Sequence, residues 1–484
     1  MSTGQSIHSS VAWLFVGNSG RQVLTFLFGI VLARLLAPED FGALLTIQVF
    51  TGVAAFFAGG GMGQALIRAK KATRKDYDIV FTMQLIIGCL IYTVFYFLAP
   101  WFAKWYDNPL YTNLLRVTAL SFIYRPFVNL PGNKLTREMR FKARAIIAFV
   151  SLLISSTTSI TLAYYGYGVW SLVWGGIANA IVTALLLAPT ARWRPRLSLA
   201  FHRGRKLAKY GMLKAINDIV FYLRTQASIF LLSRTLGVSS VGLYNKGESL
   251  ARIPHTFLTG SVYPVLFRTL SKEQENQDKC RYLFFRSITL LAVYATPFYV
   301  GLIWLSEPLI KTIYGDKWLA SAGPLSILAM AWPFWLMGNL SGNVLAAKNW
   351  LHRELFVQIS SLIITCLAII IALPYGIDGV AWAIVGATAY AAIHQYFLAT
   401  SCLAAKRFQF FVAIVPALLL NGLLALTLYG VDRWLPEPFR SDDLFYLLAM
   451  TLAGGAIYGL CFLFLPFQTL RPEQRRWKTK LRLA

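Results

Sequence analysis

Acidic side chains are scarce in this chain. Its 484 residues include 20 Asp and Glu against 46 Lys and Arg, and only 14% of them carry a charge, about half the share in an ordinary soluble domain. Five cysteines, Cys89, Cys280, Cys366, Cys402 and Cys461, stand singly, which excludes a disulfide framework and a cysteine-based metal site. Metal-ligand spacings and nucleophile motifs are also missing, so no metal and no cofactor is expected. The net charge of +26 would point a soluble protein toward nucleic acid, but no basic domain stands outside the apolar runs, and nucleic acid is not an expected partner. The opening MSTGQSIHSSVAW lacks the basic n-region and small-residue cleavage site of a signal peptide, so the first helix is expected to be retained.

What the chain has instead is apolar length. It is 57% hydrophobic, with a mean hydropathy of +0.57. A helix needs about 20 apolar residues to cross the hydrocarbon. Runs of that kind lie at 11–36, 41–66, 78–100, 110–130, 145–165, 169–188, 213–236, 241–267, 283–305, 320–345, 353–373, 379–401, 410–430 and 444–465. They predict an all-α polytopic membrane protein with about fourteen transmembrane helices.

Loop charge predicts the orientation. Arg68, Lys70, Lys71, Arg74 and Lys75 follow the second run, Lys134, Arg137, Arg140, Lys142 and Arg144 the fourth, and Arg192 to Lys209 the sixth. The alternate loops are poorer in base. By the positive-inside rule both termini are expected in the cytoplasm. Trp101, Trp105, Tyr106, Tyr164, Tyr165, Trp304, Trp318 and Trp434 would form an aromatic belt at the opposite interface.

A repeat organises the order. Arg34, Leu36, Gly42, Gly60 and Arg68 recur as Arg234, Leu236, Gly242, Gly260 and Arg268, a constant offset of 200. Asn129-Leu-Pro-Gly-Asn133 recurs as Asn339-Leu-Ser-Gly-Asn343, and Tyr165-Gly166 as Tyr375-Gly376, at an offset of 210. Two six-helix lobes are expected, 1–190 and 207–402, joined by a basic cytoplasmic linker, 191–206, and followed by two additional helices and a basic tail, 403–484. Copies with an even number of spans keep one orientation, as in parallel transporter repeats.

Charge inside a span costs about 2.5–3.5 kcal/mol on insertion scales, so it usually faces a cavity or a partner. The first run carries Asn18, Arg21, Gln22 and Thr25 on one face, and the seventh carries Asn217, Asp218, Arg224, Thr225 and Ser228. In the eighth, Glu248, Arg252, His255, Thr256 and Thr259 share a face while Lys246 points elsewhere. The fourth has Arg116 and Arg125, whose counterparts Ser326 and Trp335 are uncharged. Such arginines would line a wet cleft for an anionic cargo, since a guanidinium fork matches phosphate and carboxylate oxygens. Each has a plainer reading as well. Glu248 and Arg252 neutralise each other at i, i+4; Arg21, Arg116 and Arg125 snorkel to an interface; His255 is a hydrogen-bonded core histidine.

Leu32-Ala-Arg-Leu-Leu-Ala-Pro-Glu-Asp-Phe-Gly42 closely resembles the stretch ending the first span of Wzx-type polysaccharide exporters, in the branch that includes the colanic acid exporter. Leu243-Tyr244, Arg252-Ile-Pro254 and Tyr263-Pro-Val-Leu-Phe267 resemble that branch's second-lobe signature. The resemblance implies the multidrug/oligosaccharidyl-lipid/polysaccharide transporter fold and alternating access in the bacterial inner membrane. The implied substrate is an undecaprenyl-diphosphate-linked oligosaccharide, with membrane lipid, a polysaccharide polymerase and glycosyltransferases as further partners. Where many members carry an aspartate in the seventh span, this chain has Ser228.

On that reading Arg21, Arg224 and Arg252 hold the diphosphate, Arg116 and Arg125 guide loading, and Asp218, Glu248 or His255 couples an ion gradient. The alternative is a drug or cation antiporter on the same architecture, which calls for an acidic cleft. An enzyme of the same pathway is not expected, because the longest outer loop, 431–443, is too short to build a catalytic domain.

Overall fold

The computed structural model describes residues 20–59, 61–68, 72–200, 219–220, 222–261, 263–273, 275–348 and 350–482, and every regular element among them is helical. Helix is what apolar runs must form where no water can satisfy the backbone. Contact clustering divides the chain into two compact units, Met1–Gly242 and Leu243–Ala484.

The first unit holds α1 (20–35), α2 (Pro38–Gly59), α3 (Met62–Arg68), α4 (Arg74–Trp105), α5 (Leu110–Ala119), α6 (Ser121–Arg137), α7 (Phe141–Tyr164), α8 (Val169–Ala191) and α9 (222–235). Helix α10 (Gly237–Ser261) begins in it and continues into the second unit. There follow α11 (Tyr263–Lys272), α12 (Gln277–Trp304), α13 (Ser306–Tyr314), α14 (Ala322–Ala329), α15 (Trp332–Ala347), α16 (Leu351–Ala372), α17 (Gly376–Cys402), α18 (Gln409–Trp434), α19 (Glu437–Arg440), α20 (Asp443–Phe464) and α21 (Arg471–Lys480).

Among the described residues eight helical stretches are long and apolar enough to cross a membrane, or nine with the bent pair α14 and α15. One of the eight, Phe356–Cys402, contains both α16 and α17. Large apolar side chains stand exposed along these helices: Phe97 at 74%, Leu185 at 68%, Ile371 at 73% and Leu452 at 70%. Water would penalise so much exposed apolar surface, whereas lipid does not. The chain is a multi-pass membrane protein. Trp101, Tyr164, Tyr165 and Trp434 are exposed, as a belt requires, but Trp318 is fully buried. It packs beneath the Lys246 ammonium, 5.2 Å from its ring, so Trp318 belongs to the core.

The repeat is visible in backbone breaks. Helices α5 and α6 part at Leu120, and α14 and α15 part at Met330 and Ala331 with a bend of 50°, at places that match under the offset of 210. In the second copy Pro333 explains the break: it has no N–H for the Ala329 carbonyl four residues back, and its ring crowds that carbonyl. In the first copy Pro126 frees the Phe122 carbonyl in the same way. That oxygen lies against Gly88 of α4, where a Cβ would sit only 2.3 Å away. The turns after α7 and α16 both use a glycine at positive φ, Gly166 at +80° and Gly376 at +72°, which a side chain would strain.

Helix α9 packs within the first unit, so the packing boundary falls after Gly242, later than the basic linker at 191–206. Its aromatic and hydroxyl groups explain why. Tyr222 donates from its hydroxyl to the Gln48 carbonyl at 2.9 Å, Phe230 lies edge-on to Phe50 at 5.5 Å, and the Ser233 and Tyr106 hydroxyls meet at 3.1 Å. The start of α10 then crosses α2 closely. A Cβ on Gly42 would fall 1.7 Å from the Val238 carbonyl oxygen, and one on Gly242 would fall 2.0 Å from that of Pro38.

Candidate functional site

In the second unit the polar faces of α10 and α15 meet. Arg252 and Glu248, one turn apart, form an ion pair at 2.8 Å; the arginine side chain is half exposed and the glutamate only 12% exposed. The guanidinium carbon stands 5.9 Å from the centre of the Trp335 ring, within range of a cation–π attraction. Trp335, Asn339 and Asn343 follow at i, i+4 and i+8 and so share one face of α15. The Asn339 amide nitrogen lies 3.1 Å from His255 Nε2 and donates to the Trp335 carbonyl at 2.8 Å, while Asn343 donates to the Asn339 carbonyl at 2.9 Å. With the amide donating, Nε2 accepts, and the neutral imidazole carries its proton on Nδ1.

Aromatic rings enclose that imidazole. Trp332 and Trp335 lie 5.8 Å from it and Tyr263 6.2 Å, and Tyr299 stacks on Trp332 at 4.5 Å. The outcome is a wall with a buried aromatic base and an exposed rim of Arg252, Thr256 and Asn339. The Arg252 side chain stays half exposed despite its ion pair. Lys246 is buried on another face of α10, between Tyr314 and Trp318.

The first unit distributes its cations differently. Arg116, in the last turn of α5, lies 4.2 Å from the centre of the Tyr96 ring and donates through Nε to the Tyr96 carbonyl at 3.3 Å, so it is engaged with α4. Arg125 sits on α6, 5.5 Å from the Phe122 ring centre. Tyr124 and Tyr222 lie close enough to act on its charge. Arg224 is half-buried at the start of α9, and Arg21 is exposed on α1. Asp218 lies outside the described residues. The structure thus brings Glu248, Arg252 and His255 into one cluster and sets Arg116 on a separate contact.

The partners Trp335, Trp332, Asn339 and Tyr299 are not among the residues expected from sequence. A signal for one of them exists: Asn339 forms an i, i+4 amide pair with Asn343 inside an apolar run, which costs insertion energy without a role. Elsewhere in this unit an apolar cavity of about 790 Å3 opens along α12, α18 and α20, lined among others by Phe298, Leu424, Leu448 and Tyr458. Among the described residues no group of three or more His, Cys, Asp or Glu could hold a metal ion.

Residues 31–323 match the family described as "Polysaccharide biosynthesis protein", well over half the chain. The chain belongs to this family. It is 25% identical over 327 residues to the succinoglycan biosynthesis transport protein ExoT of Rhizobium meliloti, covering 68% of this chain and 66% of that one. It is 23% identical to the lipopolysaccharide biosynthesis protein WzxC of Escherichia coli, covering 66% and 65%, and 22% identical to the teichuronic acid biosynthesis protein TuaB of Bacillus subtilis, covering 88% and 87%. The chain therefore spans just under two thirds of the first two relatives.

Among solved structures it resembles the lipid II flippase MurJ in an inward closed conformation, with a TM-score of 0.75 at 16% identity over 92% of this chain and 97% of that one. An inward-facing multidrug resistance transporter of the MATE family matches with a TM-score of 0.64 at 17% identity, over 79% and 94%. At these identities the two likenesses establish the fold alone, an all-helical membrane architecture shared with those two proteins.

Proposed function

We propose that this protein is a flippase that moves an undecaprenyl-diphosphate-linked oligosaccharide from the cytoplasmic to the periplasmic leaflet of a bacterial inner membrane. The observation that carries the reading is the Arg252 wall. A half-exposed guanidinium against Trp335 of α15, in the bent pair that is apolar enough to cross a membrane, is costly beside lipid, so it calls for a wet cleft. The groups beside it suit a glycan diphosphate: an arginine fork for phosphate oxygens, an indole face for the C–H surface of a sugar ring, and amides for its hydroxyls.

The remaining roles follow from charge. Arg224 and Arg21 serve as phosphate ligands of the first unit, Arg125 assists loading, and the open apolar cavity along α12, α18 and α20 suits a prenyl chain. Glu248 restrains Arg252 in the wall, and His255 or Asp218 is the group through which an ion gradient would couple. Both termini are cytoplasmic in this scheme, and the polymerase and glycosyltransferases of the pathway act on either side of the transport step. Family membership and relatives named for succinoglycan transport and lipopolysaccharide biosynthesis support it.

Reconstitution tests the proposal. Liposomes containing the purified chain and a fluorescent undecaprenyl-diphosphate oligosaccharide should equilibrate the label between leaflets at least tenfold faster than protein-free liposomes. No acceleration, together with cation-driven efflux of a cationic drug, would establish the antiporter instead.

A further inference from the structure

A second site of a different kind lies where α8 ends and α4 begins. A cavity of about 350 Å3 is lined by Arg74, Ala188, Pro189, Arg192, Trp193 and Arg194. We propose that this cavity binds the phosphorylated headgroup of a membrane lipid, independently of the Arg252 wall.

The strand of chain after α8 is pinned to α4. The buried Trp193 indole donates to Asp78 Oδ1 at 3.1 Å, the Arg196 amide donates to the same oxygen at 3.4 Å, and the Ser198 amide donates to Thr82 Oγ1 at 2.8 Å. The indole also packs against Tyr77 and Phe81, at 6.2 and 5.8 Å. These contacts fix the positions of Arg192 and Arg194 beside Arg74, the first residue of α4. Arg192 adopts φ of +47°, the left-handed region, which strains any residue but glycine. Glycine is the usual residue at such a helix end.

Three cations are thereby gathered around one cavity, and nearby carboxylates are engaged elsewhere. Asp78 holds the strap, and Asp76 caps α4 by accepting from the Thr73 amide and hydroxyl, both at 2.8 Å. The sequence has no Asp or Glu between Met139 and Asn217. The terminal carbonyls of α8 are taken by other cations: Lys134 donates to Ala191 at 2.6 Å and Arg140 to Thr190 at 2.7 Å. Like charges held together in this way are stabilised by an anion. The amino end of α4 adds its partial positive charge on the same side. The volume lies at the lower end for small-ligand pockets and exceeds what one inorganic phosphate fills, which favours a phosphodiester or diphosphate group. The site lies at the basic ends of its helices, the level at which lipid headgroups lie.

Native mass spectrometry on the full chain tests this, with phosphatidylglycerol, undecaprenyl diphosphate and inorganic pyrophosphate as separate probes. The variant Arg74→Gln/Arg192→Gln/Arg194→Gln should retain phosphorylated lipid at least tenfold more weakly than the wild type. Arg471→Gln/Arg475→Gln/Arg476→Gln removes the same charge from the tail and should change retention less than twofold. Arg192→Gly separates binding from folding: it relieves the backbone strain, should unfold at the same or a higher temperature, and should still bind about threefold more weakly. Equal losses in both triple variants, no loss in the first, or wild-type binding by Arg192→Gly would each overturn the site. Arginine-dependent binding of pyrophosphate without either lipid would overturn the headgroup assignment in favour of free phosphate.

Discussion

The two copies of the repeat share a backbone and exchange their charges. Gly52 of α2 corresponds to Arg252 of α10, and Arg125 of α6 corresponds to Trp335 of α15. In the first copy the missing side chain at Gly52 is filled by the Tyr222 hydroxyl, 1.9 Å from where a Cβ would lie, and the arginine is carried by the broken helix. In the second copy the broken helix carries the indole and the arginine stands on α10. Both copies therefore keep one guanidinium near an aromatic ring, Arg125 with Phe122 and Arg252 with Trp335. Architecture repeats at the glycines and breaks, while chemistry diverges at Gly52 against Arg252 and at Arg125 against Trp335.

The hardest test of this division is Arg252 against its own ion pair. Arg252→Ala should lower transport by about tenfold to a hundredfold, because on the proposed function it removes a diphosphate ligand, and it leaves Glu248, largely buried, without its partner; truncating one member of a buried pair costs up to about 3–5 kcal/mol. The exposed half of Arg252 screens that value downward. The double variant Glu248→Gln/Arg252→Gln restores neutrality without restoring a fork. Wild-type flipping by the double variant would reduce the pair to architecture; continued loss at normal protein level keeps Arg252 as an anion ligand.

Next in size is the glycine crossing. Gly42→Ala and Gly242→Ala each place a methyl against backbone, at 1.7 Å from Val238 and 2.0 Å from Pro38. A carbonyl in a helix has little freedom to retreat, so each should destabilise by about 1–3 kcal/mol and lower the unfolding temperature in detergent. Val238 corresponds to Pro38, so the contact is reciprocal and the two shifts should be similar. A neutral effect at one glycine and a large one at the other would break the symmetry argued here.

These positions show what is legible in a single chain. The offset of 200 exposes Gly42 and Gly242 as a pair, yet it does not reveal that they touch, since equivalence under a repeat says nothing about which copies face one another. The charged members of the wall are visible because charge in an apolar run is expensive. Trp335, Trp332 and Tyr299 are not, because an aromatic in such a run fits lipid, core and ligand surface equally well. Trp318 makes the same point in reverse: composition assigns it to a belt and packing puts it under Lys246. Arg192 and Arg194 read from sequence as topology determinants, and only the Trp193–Asp78 bond shows them gathered.

A third test concerns Asn339, whose amide links His255 to Trp335. Asn339→Leu removes the donor to Nε2 and leaves the imidazole enclosed by rings without that bond, a loss of about 1–3 kcal/mol when a buried acceptor goes unsatisfied. Transport should fall several-fold. Asn339→Gln, with the same amide on a longer stem, should recover part of it. Asn129→Leu, at the matching place in the first copy, should do less, because its counterpart to His255 is Ala55. Equal losses at Asn129 and Asn339 would mean that both amides serve the helix alone.

The smallest effect is expected where the first copy has replaced charge by packing. Tyr222→Phe keeps the ring beside Phe56, at 5.4 Å, and removes only the hydroxyl that donates to Gln48. A single neutral hydrogen bond contributes about 0.5–1.5 kcal/mol net, so the unfolding temperature should drop slightly and transport should hold within about twofold. That contrast matters more than its size. If Tyr222→Phe lowers flipping as far as Arg252→Ala does while stability barely changes, the hydroxyl beside Gly52 contacts substrate, and the first packing unit contributes a polar group where the second contributes a cation. If only stability moves, Tyr222 is a filler for the space that Gly52 leaves, and the functional asymmetry rests with α10 and α15.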